Sequence, residues 1–133
     1  MKKILILTHG RFAEGITDSL KMIAGEQDIS TLCMLEDDSP QEIECKLSAY
    51  INQTAPEDDI IIITDIPGGS TTKSVIPFIP NHANVHVITG LNLALLLEVV
   101  FMSEVDIAEN INKVIANSRD AIIYINDMMA ENS

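Results

Sequence analysis

Four stretches of the chain have strand-like composition, and they alternate with segments of helical period. The clearest three are ILIL at residues 4–7, IIII at residues 60–63 and VHVI at residues 85–88. The first two runs are apolar at successive positions, which is typical of a parallel strand that helices cover on both faces. We therefore predict three strands from these runs and a weaker fourth strand over residues 30–35.

Apolar residues recur at intervals of three and four between these runs, as they do in helices that pack on a sheet. The first helical stripe ends at Gly25. The second helix begins at residues 39–42, SPQE, which fit a capping box with proline at the first helical position. A short third helix is predicted near Ser70, because Pro77 and Pro80 follow it. The stripes of the first, second and fifth helices are Phe12, Ile16, Leu20 and Ile23; Ile43, Leu47, Tyr50 and Ile51; and Ile107, Ile111, Val114 and Ile115.

The C-terminal third contains one uniformly apolar segment and one segment of β-like composition. Residues 93–102 are apolar on nearly every face, which predicts a helix buried inside the domain or against another subunit. The tail AIIYIN, residues 121–126, could extend the fifth helix, but its β-branched and aromatic residues favour a strand. The order β-α-β-α-β-α-β predicts the α/β class, with residues 1–133 forming a single doubly wound domain around a mainly parallel sheet.

Charge and composition limit the classes of partner and the location. The 133 residues include 20 acidic and 8 basic side chains, which give a formal net charge of -12 at pH 7. Nucleic acid and anionic membrane both require a basic face, so we expect neither as a partner and expect a protein with a basic patch instead. No apolar segment approaches the roughly 20 residues that span a bilayer. Cys33 and Cys45 form no CxxC motif, and the N-terminus does not resemble a signal peptide, so a cytoplasmic location is expected.

Two of the predicted strands end in polar residues that suit chemistry. The first ends at His9 and the third ends in TDIPGGS, residues 64–70. Sites in open parallel sheets lie beyond the carboxyl ends of the strands, so His9 and Asp65 face one crevice if their strands are neighbours. A plain strand-end histidine and a capping aspartate are the alternatives. The setting favours function for His9, whereas His86 lies within a strand and His82 in a turn that we expect to be exposed.

The glycines after Asp65 predict a binding site for an anion. Gly68 and Gly69 precede Ser70 at the expected start of a helix, where backbone N–H groups and a hydroxyl can converge on one point. Combined with His9, this arrangement suits phosphoryl transfer through histidine: one ring nitrogen attacks, and Asp65 accepts a hydrogen bond from the other. The sequence has neither zinc-type spacing nor an acidic cluster for magnesium, so no metal or other cofactor is expected.

Three separated motifs resemble one protein family in order and spacing. They are ILTHGRFAEGI near the N-terminus, IIITDIPGGST in the centre and VITGLNLALLLE after the fourth strand. Together they resemble the EIIA component of the mannose family of the bacterial phosphoenolpyruvate-dependent sugar phosphotransferase system (PTS), over nearly the whole chain. Two positions depart from the pattern, because many relatives have an aromatic residue and a proline where this chain has Pro67 and Thr71.

The resemblance implies a site, partners and an assembly. It implies that His9 is phosphorylated on Nε2, that Asp65 orients its ring through Nδ1, and that Ser70 with the Gly68-Gly69 backbone receives the phosphate. The donor would be the phosphocarrier HPr and the acceptor a histidine of the cognate EIIB, with membrane permease components acting downstream. The resemblance also implies a sheet of strand order 2-1-3-4 and a homodimer, in which an antiparallel edge strand formed by the tail is exchanged between subunits.

Three alternatives stay open at the level of sequence. GGSTTKS, residues 68–74, ends like a nucleotide-binding P-loop, but Thr72 replaces the glycine that precedes the lysine in that motif. A receiver-like domain phosphorylated on Asp65 would need an acidic pair after the first strand, where Thr8 and His9 stand instead. Within the family, related domains serve dihydroxyacetone phosphorylation or regulate transcription factors.

Overall fold

The computed structural model describes residues 1–131 and shows one four-stranded parallel sheet with helices on both faces. The strands are β1 (Lys2–His9), β2 (Ile29–Met34), β3 (Asp59–Thr64) and β4 (Val85–Thr89). The helices are α1 (Phe12–Ala24), α2 (Pro40–Gln53), α3 (Ser70–Val75), α4 (Leu93–Phe101), α5 (Ile107–Arg119) and α6 (Ile125–Glu131). The order in the sheet is β2-β1-β3-β4, and every pairing is parallel. The predicted α/β class and the order 2-1-3-4 are thus confirmed. The weaker strand predicted over residues 30–35 is also confirmed, as β2.

The consecutive isoleucines of β3 are explained by two separate hydrophobic cores. Ile61 and Ile63 belong to a core with α1, α4 and α5, whereas Ile60 and Ile62 belong to a core with α2 and α3 on the other face. Successive side chains of a strand point to opposite faces, so a strand covered on both sides needs an apolar residue at every position. All four isoleucines are fully buried. This packing fixes β1 and β3 at the centre of the sheet.

The helix boundaries follow the predicted signals closely. The Ser39 side chain accepts a hydrogen bond of 3.2 Å from the Glu42 backbone N–H, and Pro40 occupies the first turn of α2. The third helix is short as expected, since α3 ends at Val75 and a 3-10 turn containing Pro77 follows. In α1 the expected stripe is wrong at its two ends. Phe12 and Ile23 lie in the terminal turns and are exposed, and the buried residues of the helix are Ala13, Ile16 and Leu20.

The apolar helix α4 packs inside the domain, against α1 and α5. Leu95, Leu96 and Val99 are buried in its central turns, and Lys2 caps its C-terminal end by donating from Nζ to the backbone carbonyl oxygens of residues 99, 100 and 102. The predicted burial is therefore met within the chain for most of this segment, but Phe101 at the end of α4 is 66% exposed. Among residues 1–131, no helix combines the length and the apolar character needed to cross a membrane.

The tail differs from its prediction. Residues 121–124 have no regular structure and α6 follows, so the strand expected over residues 121–126 is not formed. The physical reason is local: a strand needs a neighbouring strand, whereas the N–H groups of Asp127 and Met128 bond within the segment, to the Tyr124 carbonyl oxygen. The end of the predicted 1–133 domain, residues 132 and 133, lies outside the described residues. Exchange of the tail between subunits stays a prediction.

Candidate functional site

The site lies where β1 and β3 end side by side. Leu7 of β1 pairs with Thr64 of β3, so the residues that follow each strand emerge at the same edge of the sheet. His9 closes β1, and Asp65 directly follows β3. The predicted crevice required β1 and β3 to be neighbours, and they are. His9 and Asp65 therefore share one crevice.

Asp65 binds His9 through two hydrogen bonds to the same carboxylate oxygen. Its Oδ2 lies 2.8 Å from the ring Nδ1 and also accepts the His9 backbone N–H at 2.8 Å. The Asp65 side chain is 12% exposed, whereas that of His9 is 43% exposed. The carboxylate therefore lies behind the imidazole, and the imidazole faces solvent.

This contact determines which nitrogen of His9 can react. A carboxylate only accepts hydrogen bonds, so the proton of the neutral ring must sit on Nδ1, and Nε2 keeps its lone pair. Nε2 lies 3.2 Å from Ser70 Oγ, at the exposed side of the ring. The arrangement therefore leaves Nε2, rather than Nδ1, available to act as a nucleophile.

The pKa of Asp65 shows how strongly this carboxylate is held in its charged form. Burial on its own would raise the pKa, but hydrogen bonds from the His9 backbone, the His9 ring and the Thr71 hydroxyl lower it to about 2. Oδ1 also accepts the Ile66 backbone N–H at 3.0 Å. Asp65 is thus a fixed negative charge at neutral pH, placed against the His9 ring, where it can stabilise a positive charge.

The two glycines of the turn have different roles in the geometry. A Cβ on Gly69 would lie 2.8 Å from His9 Cε1 and 2.9 Å from Ile66 Cγ1, closer than side chains tolerate. A Cβ on Gly68 would meet nothing within 4 Å. Gly69 therefore allows the imidazole to lie directly against the backbone that leads into α3. The space beside Gly68 is open, so a Cβ there would not touch this contact.

Three residues of the site were missed by the sequence analysis. Thr71 donates its hydroxyl to Asp65 Oδ1 at 2.8 Å, and Thr72 donates to the Ile66 carbonyl oxygen at 2.7 Å. Ser70 Oγ donates to Met34 Sδ at 3.2 Å. The threonines follow the glycine turn directly, but no signal in the sequence shows that their hydroxyls reach Asp65 and Ile66. Met34 could be found only from the register of β1 and β2, in which it pairs with His9.

The other histidines bond elsewhere. His86 lies within β4 as predicted and its Nε2 is 3.3 Å from Asp59 Oδ1. His82 lies in a turn as predicted, but it is half-buried rather than exposed, because its Nδ1 is 2.8 Å from the Phe78 carbonyl oxygen. Within residues 1–131, no group of three or more His, Cys, Asp or Glu side chains is arranged to hold a metal ion.

A shallow depression opens in front of His9. It is lined by Gly10 and by the segment that follows β2, including Leu35, Glu36 and Asp38. The Leu35 backbone N–H donates to Asp38 Oδ2 at 2.8 Å, which holds this acidic segment in a turn. The open side of the imidazole thus faces a rim with negative charge.

Comparison with known proteins identifies a family that matches most of the chain. The sequence profile of the PTS system fructose IIA component family matches residues 3–118. The PTS system sorbose-specific EIIA component of Klebsiella pneumoniae is 27% identical over 100 residues, which cover 75% of this chain and 73% of that protein.

Solved structures show the same fold. The phosphotransferase system component EIIA from Streptococcus agalactiae has a TM-score of 0.83 at 28% identity, covering 96% of this chain and 99% of that one. The mannose/sorbose-specific IIA subunit from Enterococcus faecalis has a TM-score of 0.85 at 25% identity, covering 92% of this chain and 94% of that one. Because the family profile spans most of the sequence and the fold agrees throughout, the chain belongs to the PTS fructose IIA (EIIA-man) family.

Proposed function

We propose that the protein is a phosphoryl carrier that accepts a phosphoryl group from phospho-HPr on His9 Nε2 and passes it to a cognate EIIB. One observation carries this proposal. The ring of His9 is held at Nδ1 by Asp65, at 2.8 Å, while Nε2 faces Ser70 at the exposed edge of the sheet. Membership of a sugar phosphotransferase family supports the same conclusion.

The transfer step balances without any further reactant. The Nε2 lone pair forms a bond to phosphorus, the bond between phosphorus and its donor atom on HPr breaks, and that atom keeps the electron pair. The imidazole gains positive charge as it attacks, and the Asp65 carboxylate stabilises that charge through Nδ1–H. Transfer to EIIB is the same step in the reverse sense, with Nε2 as the leaving nitrogen.

Ser70 and the glycine turn are suited to hold the phosphoryl oxygens. The Ser70 hydroxyl lies 3.2 Å from Nε2 and can turn from Met34 Sδ, a weak acceptor, to a charged oxygen. Gly69 brings the backbone against the ring, and we assign the backbone of Gly68 and Gly69 to the same oxygens.

The negative charge near His9 favours a partner protein with a basic binding surface. Glu36 and Asp38 line the depression in front of His9, and the chain carries a formal net charge of -12. Opposite charge on HPr and EIIB would speed their encounter with this face, and a high salt concentration would weaken that attraction.

A homodimer is part of the same proposal. The tail exposes a row of large apolar side chains, and β4 pairs with β3 on one side only, as the last strand of the described sheet. The exposed tail residues are Ile122, Ile123, Tyr124, Ile125, Met128 and Met129. Exchange of this segment onto the β4 edge of a second copy would cover both surfaces.

Phosphorylation in a reconstituted system tests the function. The purified protein, incubated with phosphoenolpyruvate, enzyme I and HPr, should gain the mass of one phosphoryl group, whereas ATP alone should add nothing. A nucleotide-binding P-loop would show the reverse preference. The adduct should be lost in mild acid and persist in base, because a phosphoramidate leaves readily once its nitrogen is protonated.

Substitution then locates the phosphoryl group. His9→Ala should abolish labelling with little loss of stability, while His82→Ala and His86→Ala, whose rings bond to other elements, should still be labelled. Asp65→Asn should fold and be labelled orders of magnitude more slowly. Undiminished labelling of His9→Ala would overturn the assignment, including the roles given to Asp65 and Ser70.

A further inference from the structure

The two oxygens of Asp65 are held by different parts of the chain. Oδ2 faces His9 and accepts both of its hydrogen bonds. Oδ1 faces away from the ring and accepts the Ile66 N–H at 3.0 Å and the Thr71 hydroxyl at 2.8 Å. The contacts on Oδ1 therefore restrict the rotation of the carboxylate together with those on Oδ2, and so help to hold Oδ2 against the ring.

Two groups donate to Oδ1, and Thr71 is the one that lies further along the chain and is the more rigid. It is fully buried in the first turn of α3, six residues along the chain from Asp65. Its β-branched side chain has few rotamers available. The Ile66 N–H, in contrast, belongs to the residue next to Asp65 and moves with it.

We propose that Thr71 is a positioning residue, whose hydroxyl fixes the Asp65 carboxylate so that Oδ2 stays against His9 Nδ1 and Nε2 stays aimed at the incoming phosphoryl group. It acts through Asp65, which its hydroxyl contacts, and the effect on transfer rests on the proposed function. Rotation of the carboxylate about χ2 moves Oδ2 away from the His9 ring. The χ2 angle of an aspartate without such contacts is broadly distributed.

Charge gives a second reason for this role. A carboxylate whose Oδ1 accepts only one hydrogen bond is less stable in its charged form. Loss of the Thr71 hydroxyl therefore raises the pKa of Asp65. The groups around the carboxylate are few. Among the residues described, His9 at the end of β1 is the titratable group that contacts it, while α3 presents Thr71 and the loop presents the Ile66 N–H.

The chain offers a rescue variant and a matched control. Thr71→Val removes the hydroxyl and keeps the shape, and Thr71→Ser restores the hydroxyl. Ser74→Ala removes another buried hydroxyl from the same helix, one that bonds to the Ser70 carbonyl oxygen at 2.8 Å. It therefore reports the general cost of losing a buried hydrogen bond in α3.

The first measurement is the titration of the Asp65 carboxyl carbon by NMR in the four full-length proteins. We expect the midpoint to rise by about one pH unit in Thr71→Val, to return in Thr71→Ser and to stay at the wild-type value in Ser74→Ala.

The second measurement is the rate of phosphoryl transfer from HPr. We expect kcat to fall by about tenfold in Thr71→Val, with KM for HPr unchanged because Thr71 is buried.

Three results would overturn the inference: an unchanged Asp65 midpoint in Thr71→Val, the same change in Ser74→Ala, or no recovery in Thr71→Ser. If Thr71→Val does not fold, Thr71→Ala takes its place in both measurements, because it also removes the hydroxyl that donates to Oδ1 and Ser74→Ala keeps it. A wild-type protein that cannot be phosphorylated would overturn the proposed function instead, and the titration would still settle whether Thr71 sets the state of Asp65.

Discussion

The low pKa of Asp65 predicts a specific loss of stability in acid. The pKa falls from its usual 3.8 to about 2 on folding, so the unfolded chain binds a proton more readily than the folded protein between these values. The carboxylate therefore contributes stability that is fully present above about pH 4 and is lost as the pH falls through about 2. The Asp65 side chain is 12% exposed but the His9 ring that contacts it is 43% exposed, so solvent screens part of the contribution.

The size of the effect follows from the two pKa values. The difference corresponds to about 2 kcal/mol of unfolding free energy at neutral pH, of which about 1 kcal/mol is lost at pH 3 and most of the rest at pH 2. Asp65→Asn lacks the titrating group, so its free energy of unfolding should approach that of the wild type as the pH falls. The other carboxylates titrate in both proteins and cancel in the difference.

Urea unfolding at pH 6, 4 and 3 measures this convergence, with the m-value checked at each pH. Asp37→Asn is the control, because it removes one exposed acid from the loop after β2 and so reports the effect of losing a single negative charge. If Asp65→Asn kept a constant difference from the wild type between pH 6 and pH 3, the hydrogen bonds to Asp65 would not be holding its charged form. The electrostatic role assigned to this residue would then be wrong.

Two further predictions concern the turn and the tail. Gly69→Ala should slow phosphoryl transfer by about tenfold or more, because its Cβ forces the His9 ring or Ile66 to move by roughly half an ångström. Gly68→Ala keeps the backbone N–H assigned to the phosphoryl oxygens and its Cβ meets open space, so it should slow transfer far less, and equal rates in both variants would contradict the argument. Removal of residues 120–133 should yield a monomer or an aggregate by light scattering. A truncated dimer of unchanged stability would exclude exchange of the tail.

The sheet could be predicted because its signal is local. Four consecutive isoleucines in β3 and the ILIL run of β1 require apolar cover on both faces, which few arrangements other than a central parallel strand provide. The pairing of His9 with Asp65 needed one more step, the adjacency of β1 and β3. That adjacency is a property of strand order, which the sequence motifs implied and the structure shows.

The rest of the site depends on distances that no short motif encodes. Thr71 reaches Asp65 only because α3 begins immediately after the glycine turn, and this places its first turn beside the carboxylate. Met34 reaches Ser70 because β2 pairs with β1 in a register that sets Met34 opposite His9. Such contacts between distant residues follow from register and helix start, so they become visible only in three dimensions.

The tail shows where local propensity stops deciding structure. Its first part, AIIY, has β-branched and aromatic residues that suit a strand, while the residues of α6 include Met, Ala and Glu, which form helices readily. A helix satisfies its backbone groups within the segment, but a strand must find a neighbour, and the edge strands of the described sheet are β2 and β4. Two copies of the chain can offer β4 to each other's tail and so cover the exposed isoleucines. Under the proposed exchange, a strand over residues 121–126 would therefore form only when two copies assemble, whereas the helix α6 forms within the single chain.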